Sequence, residues 1–248
     1  MTVSQAAVLA VCAFAAGIVN AIAGGGTLIT FPALLATGVP AVASNATNTV
    51  ALFPGQLASS FAYRSHLLEE KRRAIVLSVP SVLGGIVGAV LLLWLPEKAF
   101  EAVVPWLILF ACVVLALQSQ LKRLVANVAH ANHPAALWMA QLLISIYGGY
   151  FGAGIGILML AAMAIMIPSS MQHANALKVL FSLLINAVAA VIFVAKGAVH
   201  VPEAALMAAA SIAGGFAGSH LAKRLPPAGM RGFAIAVGLY AAGRMFLH

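Results

Sequence analysis

The chain has no aspartate and only five glutamates against thirteen lysines and arginines, and none of these acids lies deeper than the second residue of a long apolar run. An ionisable group in hydrocarbon is expensive, and where one is retained it usually marks a substrate or proton path. Glu69, Glu70, Glu97, Glu101 and Glu203 all stand at segment ends. That placement argues against a cation carrier or a carboxylate proton relay. The polar residues left for the interior are Asn, Thr, Ser, Gly and one lysine, a set of donors suited to an anion.

Charge of either sign is scarce. Charged residues make up 7% of the chain, against about 25% in soluble proteins, and no soluble module fits such a composition. The mean hydropathy is +1.07, and the pI near 10.0 arises from loop charges rather than a basic patch, so nucleic acid is not an expected partner. Residues 1–11 contain no Lys or Arg. A cleaved signal peptide would have a basic n-region there, so the first segment is expected to be retained. The two cysteines, Cys12 and Cys112, lie in apolar runs, where thiols behave as small hydrophobes and no disulfide is required. His130 and His133 have no further ligand within several residues, and no paired acids, nucleophile–base set or zinc helix motif is visible. Neither enzyme activity, metal nor cofactor is expected.

What the chain does have is apolar length. Runs at 5–22, 27–37, 46–63, 74–95 and 100–117 are followed by five more at 135–150, 157–167, 176–195, 202–222 and 229–247. Glycine, proline and basic clusters separate them. A crossing needs about 20 apolar residues, which predicts an all-α polytopic bundle. The second run of each set is only eleven residues, Thr27 to Thr37 and Ile157 to Ile167. Each is long enough for about half the hydrocarbon core. The expectation is about eight full spans plus two short half-membrane helices.

Shifting the chain by 130 residues superposes Gly24 and Gly26 on Gly154 and Gly156, and Asn45 on Asn175. It also brings Ser81 onto Ser211, Gly84, Gly85 and Gly88 onto Gly214, Gly215 and Gly218, and Pro96 onto Pro226. An internal repeat follows, with an N-terminal unit at 1–121, a linker at 122–134 and a C-terminal unit at 135–248. An odd number of crossings per unit puts nine of twelve loop cations on one face and leaves Lys98, Lys196 and Arg244 opposite. The positive-inside rule then gives inverted repeats, a cytoplasmic linker and both termini outside.

Candidate anion contacts come from the same alignment. Asn45 and Asn175 each precede an apolar run, where an amide can cap a helix and the helix dipole attracts negative charge. Thr47, Asn48 and Thr49 add donors. Gly25, Gly26, Gly154 and Gly156 let backbone amides approach a ligand. Lys178 is the one cation well inside an apolar run and aligns with Asn48; it either balances a bound anion or snorkels to the headgroups. His173 reads as a polar residue at the run's edge. Gly84, Gly85, Gly88 and their mates read as helix-packing residues. Gly24 to Gly26 lacks the following Gly-Lys-Ser/Thr of a phosphate-binding loop.

The segments Gly17-Ile18-Val19-Asn20-Ala21-Ile22-Ala23-Gly24-Gly25-Gly26-Thr27-Leu28, Phe31-Pro32 and Ser44-Asn45-Ala46-Thr47-Asn48-Thr49 resemble the TauE/SafE family of sulfite exporters, also called the toluene-sulfonate-uptake permease group. Tyr147-Gly148-Gly149-Tyr150-Phe151-Gly152-Ala153-Gly154-Ile155-Gly156, Asn175-Ala176-Leu177-Lys178 and residues 193–197 carry the likeness through the second half. Residue 155 is isoleucine where the family's familiar forms carry threonine or glycine, so it is not counted as a ligand contact. The resemblance implies a transporter in a bacterial-type inner membrane that moves small sulfur-containing anions such as sulfite or sulfoacetate. Membrane potential makes export the easier direction for an anion. A passive anion channel and a non-transporting assembly subunit are the alternatives. The expected partners are the small anion and the lipid bilayer, with room for a homodimer.

Overall fold

The structure, a computed structural model, describes residues 1–22, 25–62, 64–126, 134–166, 171–221 and 227–247. Gly24, His130, His133, Lys223 and Arg224 fall outside the described residues, as does most of the linker. Within the described residues the chain forms eleven helices and no strand. The first half holds α1 (Val3–Ile22), α2 (Thr27–Ala36), α3 (Ala41–Ala62), α4 (Arg64–Glu69), α5 (Lys71–Trp94) and α6 (Glu97–Ala126). The second holds α7 (Pro134–Tyr150), α8 (Ile155–Met166), α9 (Met171–Ala195), α10 (Val201–Leu221) and α11 (Pro227–Phe246).

The short second elements are present as α2, with 10 residues, and α8, with 12. Glycines set their ends. Gly38, with φ +86°, follows α2, and its N–H bonds to the Leu35 carbonyl. Gly152 and Gly154, with φ +80° and +79°, turn the chain between α7 and α8. Three sequence expectations change. The six-residue α4 occupies what reads as loop, with no counterpart in the second half. Helix α6 runs on to Ala126, past the basic pair at Lys122 and Arg123. Helices α3 and α9 start at Ala41 and Met171, so Asn45 and Asn175 lie inside them and cap neither.

Helices α1, α5, α6, α9 and α10 are long and apolar enough to cross a membrane. Helix α3 is as long, but it contains Ser44, Asn45, Thr47, Asn48, Thr49 and Gln56. Helix α5 shows how side chains are divided. Ala74, Leu77, Ser81, Gly84, Gly88 and Leu92 recur at helical spacing and are buried, whereas Val76, Val79, Leu83, Val87, Val90 and Trp94 are exposed. Small residues thus face protein and large apolar ones face outward, the division expected against lipid. Glu203 departs from the expectation that no acid is buried: it lies in the first turn of α10 with 9% of its surface exposed. The positive end of the helix dipole favours an acid there.

Helix starts at Ala41, Lys71 and Glu97 recur 130 residues on, at Met171, Val201 and Pro227. Packing recurs in the same way. The most extensive interfaces, α1 with α10 and α5 with α7, are exchanged mates, as are α3 with α10 and α9 with α5. Helix α3 packs on its own mate α9, and α6 on its mate α11. The side-chain amide of Asn186 donates to Gln56 Oε1 at 2.9 Å, a bond between residues 130 apart. The dominant interfaces join the halves rather than hold each together.

Glycine makes those interfaces possible. A Cβ on Gly84 would lie 2.6 Å from Ser145 Cβ and 2.7 Å from the Leu142 carbonyl oxygen of α7, and one on Gly88 would overlap the Ile146 carbonyl oxygen. Gly214 and Gly218 repeat the arrangement against Phe14 and Ile18 of α1. Backbone meets backbone at both places. G88A and G214A are therefore expected to lower the melting temperature of detergent-purified protein, with overpacking costing about 1–3 kcal/mol each. G215A, where nothing lies within 4 Å, is expected to melt with the wild type. Unchanged melting of G88A would mean that α5 and α7 are not in backbone contact.

Candidate functional site

At the start of α2, polar side chains converge from three helices. The Gly26 N–H donates to Asn20 Oδ1 of α1 at 2.8 Å, and a Cβ at Gly26 would meet Asn20 Nδ2 at 2.6 Å. Thr30 Oγ1 lies 3.1 Å from the Gly26 carbonyl and donates to Asn48 Oδ1 of α3. Asn48 Nδ2 reaches Thr27 Oγ1 at 3.4 Å. Thr30, Asn48 and Gly26 are buried, so these bonds satisfy groups that water cannot reach. Both ends of the Asn48 amide are committed to α2.

The start of α8 is built differently. Its first turn includes Gly156, and a Cβ there would sit 3.2 Å from Lys178 Cδ and 3.8 Å from Lys178 Cε. The lysine stem therefore lies across the N-terminal turn, where N–H groups and the helix dipole are positive. Asn175 is one turn earlier on α9 and shares that face; its half-buried amide forms no hydrogen bond among the described residues. Asn48 and Lys178, which align in the repeat, thus occupy the same place at the two short helices with different chemistry.

The two helix starts are brought together by α6. Gly25, with φ +96°, would place a Cβ 3.0 Å from Leu115 Cδ2, and Gly154 would place one 3.7 Å from Val114 and 3.9 Å from Ala111. Both glycine turns thus meet one stretch of about a turn on α6. Phe31 of α2 packs edge-on against Phe151, just before α8, at 5.4 Å between ring centroids. The α7–α8 turn is also held by the Tyr147 hydroxyl, which donates to the Ala153 carbonyl at 2.7 Å.

Asn45 links the two clusters. Its Nδ2 donates to the Tyr150 carbonyl at 2.8 Å. A carbonyl accepts only from the NH₂ end, so the amide orientation is settled and Oδ1 is the atom left over. That Oδ1 is buried and has no partner among the described residues. Asn45 therefore offers an acceptor from inside α3, where the sequence reading made it a cap at the helix start. The donors at the α3 start are engaged elsewhere: the Val42 N–H donates to Glu97 Oε1 at 3.0 Å, so a carboxylate already occupies that end. Thr47 Oγ1 accepts the His200 N–H at 3.0 Å and helps hold the α9–α10 connection. Thr49 Oγ1 bonds back to the Asn45 carbonyl at 3.0 Å.

Among the residues singled out by sequence, Lys178, Asn175, Gly154 and Gly156 gather at α8, and Asn48, Gly25 and Gly26 at α2. Sequence reasoning gave no role to Asn20, Thr30 and the Gln56–Asn186 pair. The 130-residue alignment contained a signal for that pair, since it superposes one polar amide on another within apolar runs.

A model of the family described as Sulfite exporter TauE/SafE matches residues 9–245. A relative from Sinorhizobium sp, named probable membrane transporter protein ORF9, is 34% identical over 155 residues. That match covers 60% of this chain and 57% of the relative, so it spans little more than half of that protein. A probable membrane transporter protein of Haemophilus influenzae is 26% identical over 219 residues, covering 87% of this chain and 84% of the relative. No solved structure matches. The family match runs through both glycine turns and both polar helices of the site. The chain belongs to the TauE/SafE sulfite exporter family of multi-pass membrane transporters.

Proposed function

We propose that the protein is a secondary transporter of small sulfur-containing anions, sulfite or an organosulfonate, across the cytoplasmic membrane. Its two halves are inverted repeats, and its substrate sits between the starts of α2 and α8. The observation that carries this reading is the Lys178 stem lying across the first turn of α8 at Gly156. A lysine whose stem runs along this turn would add positive charge to the positive end of the α8 dipole. Asn175 adds a donor on the same face of α9. The five glutamates stand near other helix ends, none deeper than the second residue of an apolar run, where they compete little with an anion.

The Asn45 acceptor refines the chemistry. A fully deprotonated oxyanion has no proton to give to Oδ1, whereas hydrogen sulfite has one. An oxyanion that retains a proton would therefore satisfy this buried acceptor while its negative charge faces the lysine. Phosphate-loop motifs are absent from the sequence, which leaves the ion gradients and membrane potential as energy sources. A potential negative inside assists anion exit by about 2.3 kcal/mol per charge per 100 mV. Export with a cytoplasmic linker is the proposed direction and topology.

Purified protein is expected to show a concentration-dependent rise in melting temperature with one or more of sulfite, thiosulfate, sulfoacetate, taurine or aromatic sulfonates, and none with chloride or simple carboxylates. A flat response across this panel at several pH values would count against the anion assignment. Lys178→Met is expected to weaken binding of the responding anion about 10- to 100-fold, the equivalent of a charge-assisted hydrogen bond of about 1.5–3 kcal/mol, without loss of folded protein. Gly156→Ala gives a milder test. Its new methyl has to displace a flexible lysine stem, so affinity should fall while melting without ligand stays near wild type. Full affinity in K178M would remove the lysine from the site.

A further inference from the structure

We propose that His66, Glu69 and His173 form a binding site for one divalent transition-metal ion of the zinc class, joining α4 to the first turn of α9. His173 Nε2 is 2.7 Å from Glu69 Oε2, and the rings of His66 and His173 meet edge-on with centroids 5.5 Å apart. One ligand atom from each of the three residues can be chosen so that all lie within 4.8 Å of one another. Three ligands held at about 2.0–2.2 Å around a tetrahedral ion are roughly 3.4 Å apart, which falls between the 2.7 Å His173–Glu69 contact and the 4.8 Å that bounds the group.

The donor set selects the metal. Two imidazoles and one carboxylate are borderline ligands that favour zinc over magnesium or calcium, and three protein ligands leave a fourth position for water. His66 and Glu69 are three residues apart on one face of α4, and His173 comes from the opposing helix. Glu70 Oε1 lies 3.9 Å from His173 Nδ1, on the far side of the ring from Glu69. His173 Nε2 donates its proton to the Glu69 carboxylate, and a metal would replace that proton between the two ligand atoms. Arg73 pairs with Glu70 at 2.9 Å, which offsets one of the nearby cations that oppose metal binding. The Glu69 side chain is 62% exposed, so an ion can enter from water.

The placement gives the site a structural consequence. Helix α4 is the element without a mate in the second half, and α9 carries Asn175 and Lys178 within its first turns. A metal would fix the end of α9 to α4. The cluster is independent of the anion assignment, because none of its ligands belongs to the α2 or α8 turns.

Full-length protein bearing a histidine-free tag, stripped with chelator, would be titrated with Zn²⁺ and separately with Mg²⁺ by calorimetry. One zinc per chain is expected, with no magnesium signal. Glu69→Gln and the double variant H66A/H173A should each weaken zinc binding at least tenfold. H130A/H133A, which removes the other closely spaced histidine pair, should bind zinc as the wild type does. Melting of each variant without metal distinguishes ligand loss from misfolding, and E69Q preserves shape if the double variant fails to fold. Absence of zinc binding by folded wild type would overturn the proposal. So would wild-type affinity in folded E69Q, or zinc binding that disappears with H130A/H133A.

Discussion

The structure rests on backbone contacts between helices. In lipid, apolar side chains gain little by leaving the surface, so helices associate through close packing and hydrogen bonds rather than through the hydrophobic effect. Gly84 and Gly88 of α5 supply that packing against α7, and Gly214 and Gly218 of α10 supply it against α1. These contacts run between the halves. Helix α3 also lies beside α9, and α6 beside α11. Widening either glycine interface would move the outer helices that hold those four in place.

The second constraint is the cost of ending a helix away from water. Helices α2 and α8 begin with N–H groups that have no intrahelical partner. In the first half neutral amides and hydroxyls surround this end, with Asn20 on Gly26 and Asn48 on Thr27 and Thr30. In the second half a lysine stem lies over it at Gly156. Positions 130 residues apart thus carry a neutral amide cluster in the first half and a lysine stem in the second.

Much of this was legible in the residues. The short elements showed in run length, the packing helices in their glycine spacing, and Lys178 stood out as a cation in an apolar run. The reading failed at boundaries. Asn45 and Asn175 looked like caps because an apolar run begins just after them, but α3 and α9 start four residues earlier, at Ala41 and Met171. The α3 start is bonded instead by Glu97, 55 residues from Val42, a partner that no local pattern reveals. Likewise His173 read as an edge residue because its neighbours His66 and Glu69 are more than a hundred positions away.

Sequence by itself determined the class of solvent the chain inhabits, the number and order of its helical elements to within one short helix, and the family. These follow from composition and local periodicity, which act along the chain. Tertiary structure decided which polar atoms remain available. It committed Asn48 to α2, turned Asn45 into an acceptor by bonding its amide to Tyr150, and laid Lys178 over the start of α8. The reason is that hydrogen-bond valence is used up by whichever partner packing brings within reach, and here those partners come from distant helices.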